Sequence, residues 1–372
     1  MRVIVRGLLD GEVKDVIAED GWITAVAQAG AGDVTGARLI EAGGHLFPGF
    51  IDVHVHGGGG ADVMDGSMDA FEQIAWTHAR HGTTALVLTT VSAPDEAILR
   101  VLSAWRMPAS WRGADVLGFH LEGPFIHPDR RGAHPAECLC MPAPERLRKY
   151  AAAGPVRILT LAPELPGAEE TLAAARAMGV VVSLGHSAAT WAESMRAFDL
   201  GAQSVTHLFN AMTGLHHRQP GLAAAALAHS GAMVELILDG IHVHPEMARL
   251  AVRVKGRDRV MLVTDAIPVV DMPEGRYAFA GDEVVYQGGA VRRLDGTLAG
   301  SALTMARAVR TGLEHGVFAL PDVPLLAARN AARLLGERRG RIAPGFRADL
   351  AVLSDDGQVT HTLVGGRLVY RA

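Results

Sequence analysis

Phe50-Ile-Asp-Val-His-Val-His56 is an apolar run that ends in two histidines one residue apart. Residues i and i+2 of a β-strand point to the same face, so His54 and His56 project together. Such a pair at the C-terminal mouth of a barrel's first strand is a candidate holder of a catalytic metal. The chain has 17 histidines, so the spacing alone arises easily by chance. The rest of the chain strengthens it.

Counting 47–55 as the first, eight short β-rich apolar runs follow one another, the others at 84–90, 115–121, 156–162, 179–185, 203–208, 234–240 and 260–265. Segments of helical period lie between them, at 68–81, 94–106, 144–153, 167–178, 190–200, 221–230 and 245–255. This alternation is the pattern of a parallel α/β fold. Eight units predict a closed (β/α)8 TIM-type barrel, whose active site sits at the C-terminal strand ends. A doubly wound open sheet has the same periodicity, which does not reveal closure.

The two ends of the chain read differently. Residues 1–46 carry short alternating strands (Val3–Arg6, Trp22–Gln28) separated by Gly and Asp turns, and 341–372 repeat that style. The reading is a small β-sandwich domain formed from both termini, 1–46 and 341–372, with the barrel at 47–340 between them. A Gly-punctuated β-ribbon at 276–297 interrupts the rhythm as an insertion.

The 372 residues are 49% apolar and 20% charged, with a net charge of −5, so a large core is expected and a nucleic-acid or anionic-membrane surface is not. The first residues have no signal-peptide core, and no run reaches the roughly 18 apolar residues of a membrane helix. Cys138 and Cys140 are too few for a disulfide scaffold and read as loop thiols. The expected location is cytoplasmic.

Ionisable groups recur where the apolar runs stop. The first run ends in His54 and His56, the third in His120-Leu-Glu122, the fifth in Gly185-His186 and the sixth in Thr206-His207. The seventh ends in Asp239-Gly-Ile-His242 and the eighth in Thr264-Asp265. One buried histidine at a strand end is more often a hydrogen-bonded core residue than a ligand. Recurrence at several strand ends of one barrel reverses that balance. Imidazole and carboxylate suit Zn²⁺ or Fe²⁺, whereas Mg²⁺ and Ca²⁺ prefer oxygen cages. His120, one pleat from Glu122, reads as a packing residue.

With these motifs in place, the chain resembles the amidohydrolase superfamily, and within it the N-acetylglucosamine-6-phosphate deacetylases. The segments that carry the resemblance are PGFIDVHVHG, HLEGPF, RGAHP, LGHS, VTHLFNAM, RQPGL, DGIHVH, LVTDA and GTLAGSALTM, from 48 to 305, with PGFRADL in the terminal β region. The resemblance implies a main metal site of Glu122, His186 and His207, with Asp265 as the proton-transferring carboxylate. It implies a second site of His54 and His56 bridged by Glu122 in members that keep the pair, hence one or two divalent ions, Zn²⁺ or Fe²⁺, per subunit. Many binuclear relatives instead bridge their metals with a carboxylated lysine at the fourth strand. The only lysines here are Lys14, Lys149 and Lys255, and the fourth run ends in Leu161-Ala-Pro-Glu164.

The resemblance also implies the substrate contacts. Asn210, Ala211 and Arg218 correspond to the phosphate-binding positions, with Arg218 reaching in from the neighbouring subunit of a homodimer. A planar guanidinium suits phosphate oxygens, although outside the family such an arginine would read as solvated surface charge. Ala133, His134, Asp239, His242, Leu298, Ala299 and Gly300 correspond to sugar-contacting segments, and His134 or His242 to polarisers of the acetamide carbonyl. The expected partner is a small sugar phosphate. The gluco and galacto epimers, which differ only at C4, stay open.

Overall fold

A computed structural model describes residues 1–31, 35–106 and 110–372. Eight parallel strands occur at Phe50–Val55, Thr83–Thr90, Asp115–Glu122, Val156–Leu161, Val181–Leu184, Ser204–Val205, Met233–Ile237 and Val260–Val263. Their order in the sheet is their order in the chain. A doubly wound sheet reverses its order at a switch point, so that alternative falls. The eighth strand returns to the first. Val55 bridges Ala266, the Asp265 N–H donates to the His54 carbonyl at 2.9 Å, and the His56 N–H donates to Ala266 at 2.8 Å. Buried Asp52 adds a side-chain clasp, accepting the Thr264 hydroxyl at 2.6 Å and its N–H at 3.3 Å. The fold is a (β/α)8 barrel.

Several strands are shorter than the apolar runs that predict them, for local reasons. The fifth and sixth stop because His186 and His207 take left-handed backbone conformations, φ 47° and 31°. The seventh stops before Asp239, whose side chain accepts the N–H groups of Ile241 and His242, both at 2.8 Å, and turns the chain. The helices between the eight strands fall within the predicted segments, some with recognisable start signals. Ser67 caps Met68–Ala79, and Thr190 and Glu193 form a reciprocal capping box on Trp191–Asp199. A further helix, Met305–Glu314, serves the eighth unit, capped by Thr304.

Both termini enter one seven-stranded sheet, in the order Arg367–Arg371, Val359–Val364, Leu350–Leu353, Arg38–Pro48, Arg2–Leu9, Glu12–Glu19, Trp22–Gln28. Its last strand folds back on the segment before Leu350. Ile23 N–H donates to Phe346 O at 2.8 Å, and Ala348 N–H to Gly21 O at 2.9 Å. Val5, Val16, Ile23, Ile40, Leu350 and Val352 fill the enclosed core of this β-sandwich. Phe47 and Pro48, read as the start of the first barrel run, pair instead with Ala351 and Leu350. An unbroken apolar run carries no mark of where its partner changes.

The predicted insertion is a three-stranded ribbon, Gly275–Phe279, Asp282–Gln287 and Ala290–Arg293. Phe279, Val284 and Val291 pack against Val91 and Ile267, which sets the ribbon beside the barrel mouth. Cys138 and Cys140 are free thiols in a loop. Among the described residues, no helix is long and apolar enough to cross a membrane.

Candidate metal centre

A cavity of about 590 Å³ opens at the C-terminal strand ends, lined among others by His56, Glu122, His134, His186, His207 and Asp265. His54 lies fully buried beside them. Two devices present these side chains. The pleat of the first strand aims His54 and His56 at one face, with their Nε2 atoms 3.2 Å apart. His186, His207 and Asp265 instead sit on left-handed backbone, φ 47°, 31° and 52°. Such residues cost about 1–3 kcal/mol each and persist only where surrounding structure holds them. Here His127 N–H donates to the His186 carbonyl at 2.9 Å and Ser301 N–H to the Asp265 carbonyl at 2.8 Å.

The set converges on Glu122. Its Oε1 lies 3.0 Å from His207 Nε2, 3.1 Å from His186 Nε2 and 3.4 Å from His54 Nε2. Its Oε2 lies 3.1 Å from His56 Nε2. Asp265 Oδ1 lies 3.2 Å from His56 Nε2 and 3.5 Å from His54 Nε2.

The outer ring nitrogens define the tautomers. His54 Nδ1 donates to Glu235 at 3.0 Å, His56 Nδ1 to the Thr89 carbonyl at 3.1 Å and His186 Nδ1 to the Arg130 carbonyl at 2.7 Å. With Nδ1 the donor, each of these rings in its neutral form turns an Nε2 lone pair inward. His186 then turns its lone pair onto a Glu122 oxygen at 3.1 Å and towards His207 Nε2 at 3.0 Å, while the outer nitrogen of His207 is buried with no hydrogen-bond partner among the described residues. That arrangement is repulsive unless a cation joins it, and a nitrogen and carboxylate donor set suits Zn²⁺ or Fe²⁺. Glu122 with His54 and His56 forms a further group of the same kind.

The electrostatics agree. Burial works against charge on every group here, yet the His54 and His56 rings are pushed up, His56 to about 9, by Glu122 and Asp265. Burial likewise opposes ionisation of Asp265, but His54 and His56 hold it down at about 2, and Glu122 falls well below its ordinary range for the same kind of reason. The cavity demands positive charge.

His134 differs from the other rings. Ser92 N–H donates to its Nδ1 at 3.0 Å, so Nδ1 is an acceptor and Nε2 carries the proton. Burial lowers its pKa to about 4, leaving it a neutral donor, with Nε2 3.3 Å from Glu122 Oε2. His242 lines the same cavity, its Nδ1 donating to Asp239 at 2.7 Å. Ala133, Asn210, Ala211, Leu298 and Gly300 also line it.

Besides His54, three predicted residues do not line the cavity. Ala299 is buried against the ribbon, and Asp239 lies behind His242. Arg218 is exposed on its loop, donating to His217 Nε2 at 2.9 Å. His120 is buried with both nitrogens engaged, by the Val53 carbonyl and the Thr160 hydroxyl. Sequence reading overlooked Glu235, whose signal was a lone carboxylate inside an apolar run. It also overlooked Ser92, an ordinary serine that only the fold brings to His134.

A model of the amidohydrolase family matches residues 45–369. The chain is 40% identical to an N-acetylgalactosamine-6-phosphate deacetylase of Escherichia coli O157:H7, covering 87% of each chain. It is 38% identical to an N-acetylglucosamine-6-phosphate deacetylase of Bacillus subtilis (strain 168), over 87% of this chain and 84% of that one. Among solved structures it is similar to a mutant N-acetyl-D-glucosamine-6-phosphate deacetylase of Mycobacterium smegmatis in complex with N-acetyl-D-glucosamine-6-phosphate. That match has a TM-score of 0.90 at 33% identity, covering 99% of each chain.

Proposed function

The chain belongs to the amidohydrolase family, and from that premise we propose that it hydrolyses the acetamide of N-acetyl-D-glucosamine 6-phosphate to D-glucosamine 6-phosphate and acetate. The observation that carries the reading is the convergence of His54, His56, His186 and His207 on the two oxygens of Glu122, with Asp265 beside them. The relatives named above act on such substrates.

Glu122, His186 and His207 would hold one divalent ion, and His54 and His56, sharing Glu122, a second. Zinc is favoured, with iron(II) next. When bound, such an ion supplies Lewis acidity and lowers the pKa of water towards about 7.

The rest of the reaction falls to the chain's own groups. Asp265, held ionised, accepts a proton from the attacking water and returns it to the departing sugar amine, which is a poor leaving group until protonated. The His134 Nε2–H, on a ring kept neutral by burial, donates to the acetamide oxygen as charge develops there. His242, oriented by Asp239, and the backbone of Ala133 and Leu298–Gly300 hold the sugar, while the Asn210–Ala211 backbone meets the phosphate. Arg218 completes the phosphate site from the partner of a homodimer, consistent with its exposed position outside its own chain's cavity. The reaction belongs in the cytoplasm, where the charge of a sugar phosphate retains it.

A specific observation favours a second reading, the galacto epimer: 40% identity to a deacetylase of that substrate. Acetate release by metal-loaded protein separates them, using both 6-phosphates and unphosphorylated N-acetylglucosamine. Preference for the phosphorylated gluco sugar is expected. Preference for the galacto epimer installs the second reading, and no release from any of the three overturns both.

A further inference from the structure

Glu235 is the one ionisable side chain in the seventh strand, Met233-Val-Glu-Leu-Ile237, and it is fully buried. A buried carboxylate in an apolar strand is costly and calls for a partner. Its Oε2 has two: His54 Nδ1 at 3.0 Å and the His207 backbone N–H at 3.1 Å. Its Oε1 is buried with no hydrogen-bond partner among the described residues. One oxygen therefore touches a member of each histidine pair, from behind the cavity. Glu235 also lies in a buried group with His54 and His120. Both His120 nitrogens are already engaged, so that group is a hydrogen-bond network and not a cation site.

We infer that Glu235 is a positioning residue that decides whether the His54–His56 half of the centre holds its ion. The inference rests on the reading that these histidines bind metal. By accepting from Nδ1, Glu235 holds His54 in the one tautomer whose Nε2 lone pair faces Glu122 and Asp265, and it adds negative charge behind the ring. Without it, a neutral His54 is free to carry its proton on Nε2, where it cannot ligate. The other half depends on Glu235 less. The His207 backbone stays held by the bond from the adjacent Leu208 N–H to the Glu235 carbonyl at 2.9 Å and by that from Asn210 N–H to the His207 carbonyl at 3.0 Å, whatever side chain stands at 235.

The test is metal content and affinity, read by titration of the apo protein with Zn²⁺ against a chelating indicator, for wild type, Glu235→Gln and Glu235→Leu. Wild type should bind about two ions. Both variants should keep the tighter one and bind the other about 10–100-fold more weakly. Adding Glu235→Leu to His54→Ala should cause no further loss of the weaker ion, because Glu235 acts on it through that ring. Glu235→Gln preserves shape and keeps the test available if Glu235→Leu fails to fold. Wild-type affinity for both ions in the variants, equal loss of both ions, or a wild type that binds a single ion overturns the inference. A wild type that binds no ion instead overturns the metal reading beneath it.

Discussion

The two histidine pairs present the same chemistry by opposite means. His54 stands on a fully buried strand and His56 directly follows its last residue, and their spacing of two along extended chain brings the Nε2 atoms to 3.2 Å. His186 and His207 come from two strand ends, each through a left-handed residue, and meet at 3.0 Å. Neighbouring register makes this possible, since Leu184 pairs with Val205 in parallel and both chains then break at equivalent places. The first pair is a local device. The second stores backbone strain that the surrounding loops must hold, as is common at functional sites.

Glu122 is the group both pairs share, so its loss should have the largest effect. Glu122→Gln keeps the shape but should release metal from both halves and reduce acetate release to background, with the circular dichroism spectrum unchanged. Metal retained at the wild-type level would break the picture of a shared carboxylate. Asp265 joins the two devices, its backbone left-handed and its carboxylate against the strand pair. Asp265→Asn should keep the fold and the metal and lower kcat by about 10²–10⁴-fold. Near-normal turnover would reduce Asp265 to a residue that only orients His56.

The pairs themselves can be set against each other. His186→Asn should cost more activity than His56→Asn, for which a loss of about 10–100-fold is expected. Asparagine tolerates left-handed backbone, so the comparison reads ligation and not strain. The opposite ranking, measured as kcat with metal content alongside, would make the strand pair the principal site. Smallest in its effect on chemistry is a change in the sandwich formed by the termini. Leu350→Ala should cost about 2–5 kcal/mol of stability in denaturant unfolding and leave kcat per folded molecule near wild type. A large fall in kcat would show that the sandwich core does more than support the barrel.

The residues differ in how far they could be read without coordinates. His54 and His56 were legible because a period of two in a strand makes neighbours in sequence neighbours in space. Glu122, His186, His207 and Asp265 were legible as a set, because each ends an apolar run and a barrel gathers strand ends at one mouth. Their individual distances were not, nor were the left-handed turns at His186 and His207 that cut their strands short. Glu235 was visible as an intruder in an apolar run, but nothing local said which ring it would meet. Ser92 left no trace, since its contribution is a backbone N–H to His134.

By itself, then, the sequence determined the eight β/α units, the pairing of the termini in style and the ionisable side chains at the strand ends. These follow from short-range periodicity and side-chain chemistry. Only the tertiary structure decided barrel closure through Asp52, Thr264 and the His54–Asp265 backbone bond, and the tautomers of His54, His56, His134 and His186. It also decided that His134 donates into the cavity while His186 offers a lone pair. Each of those depends on which distant group a given nitrogen or oxygen meets, and no local pattern encodes such a meeting.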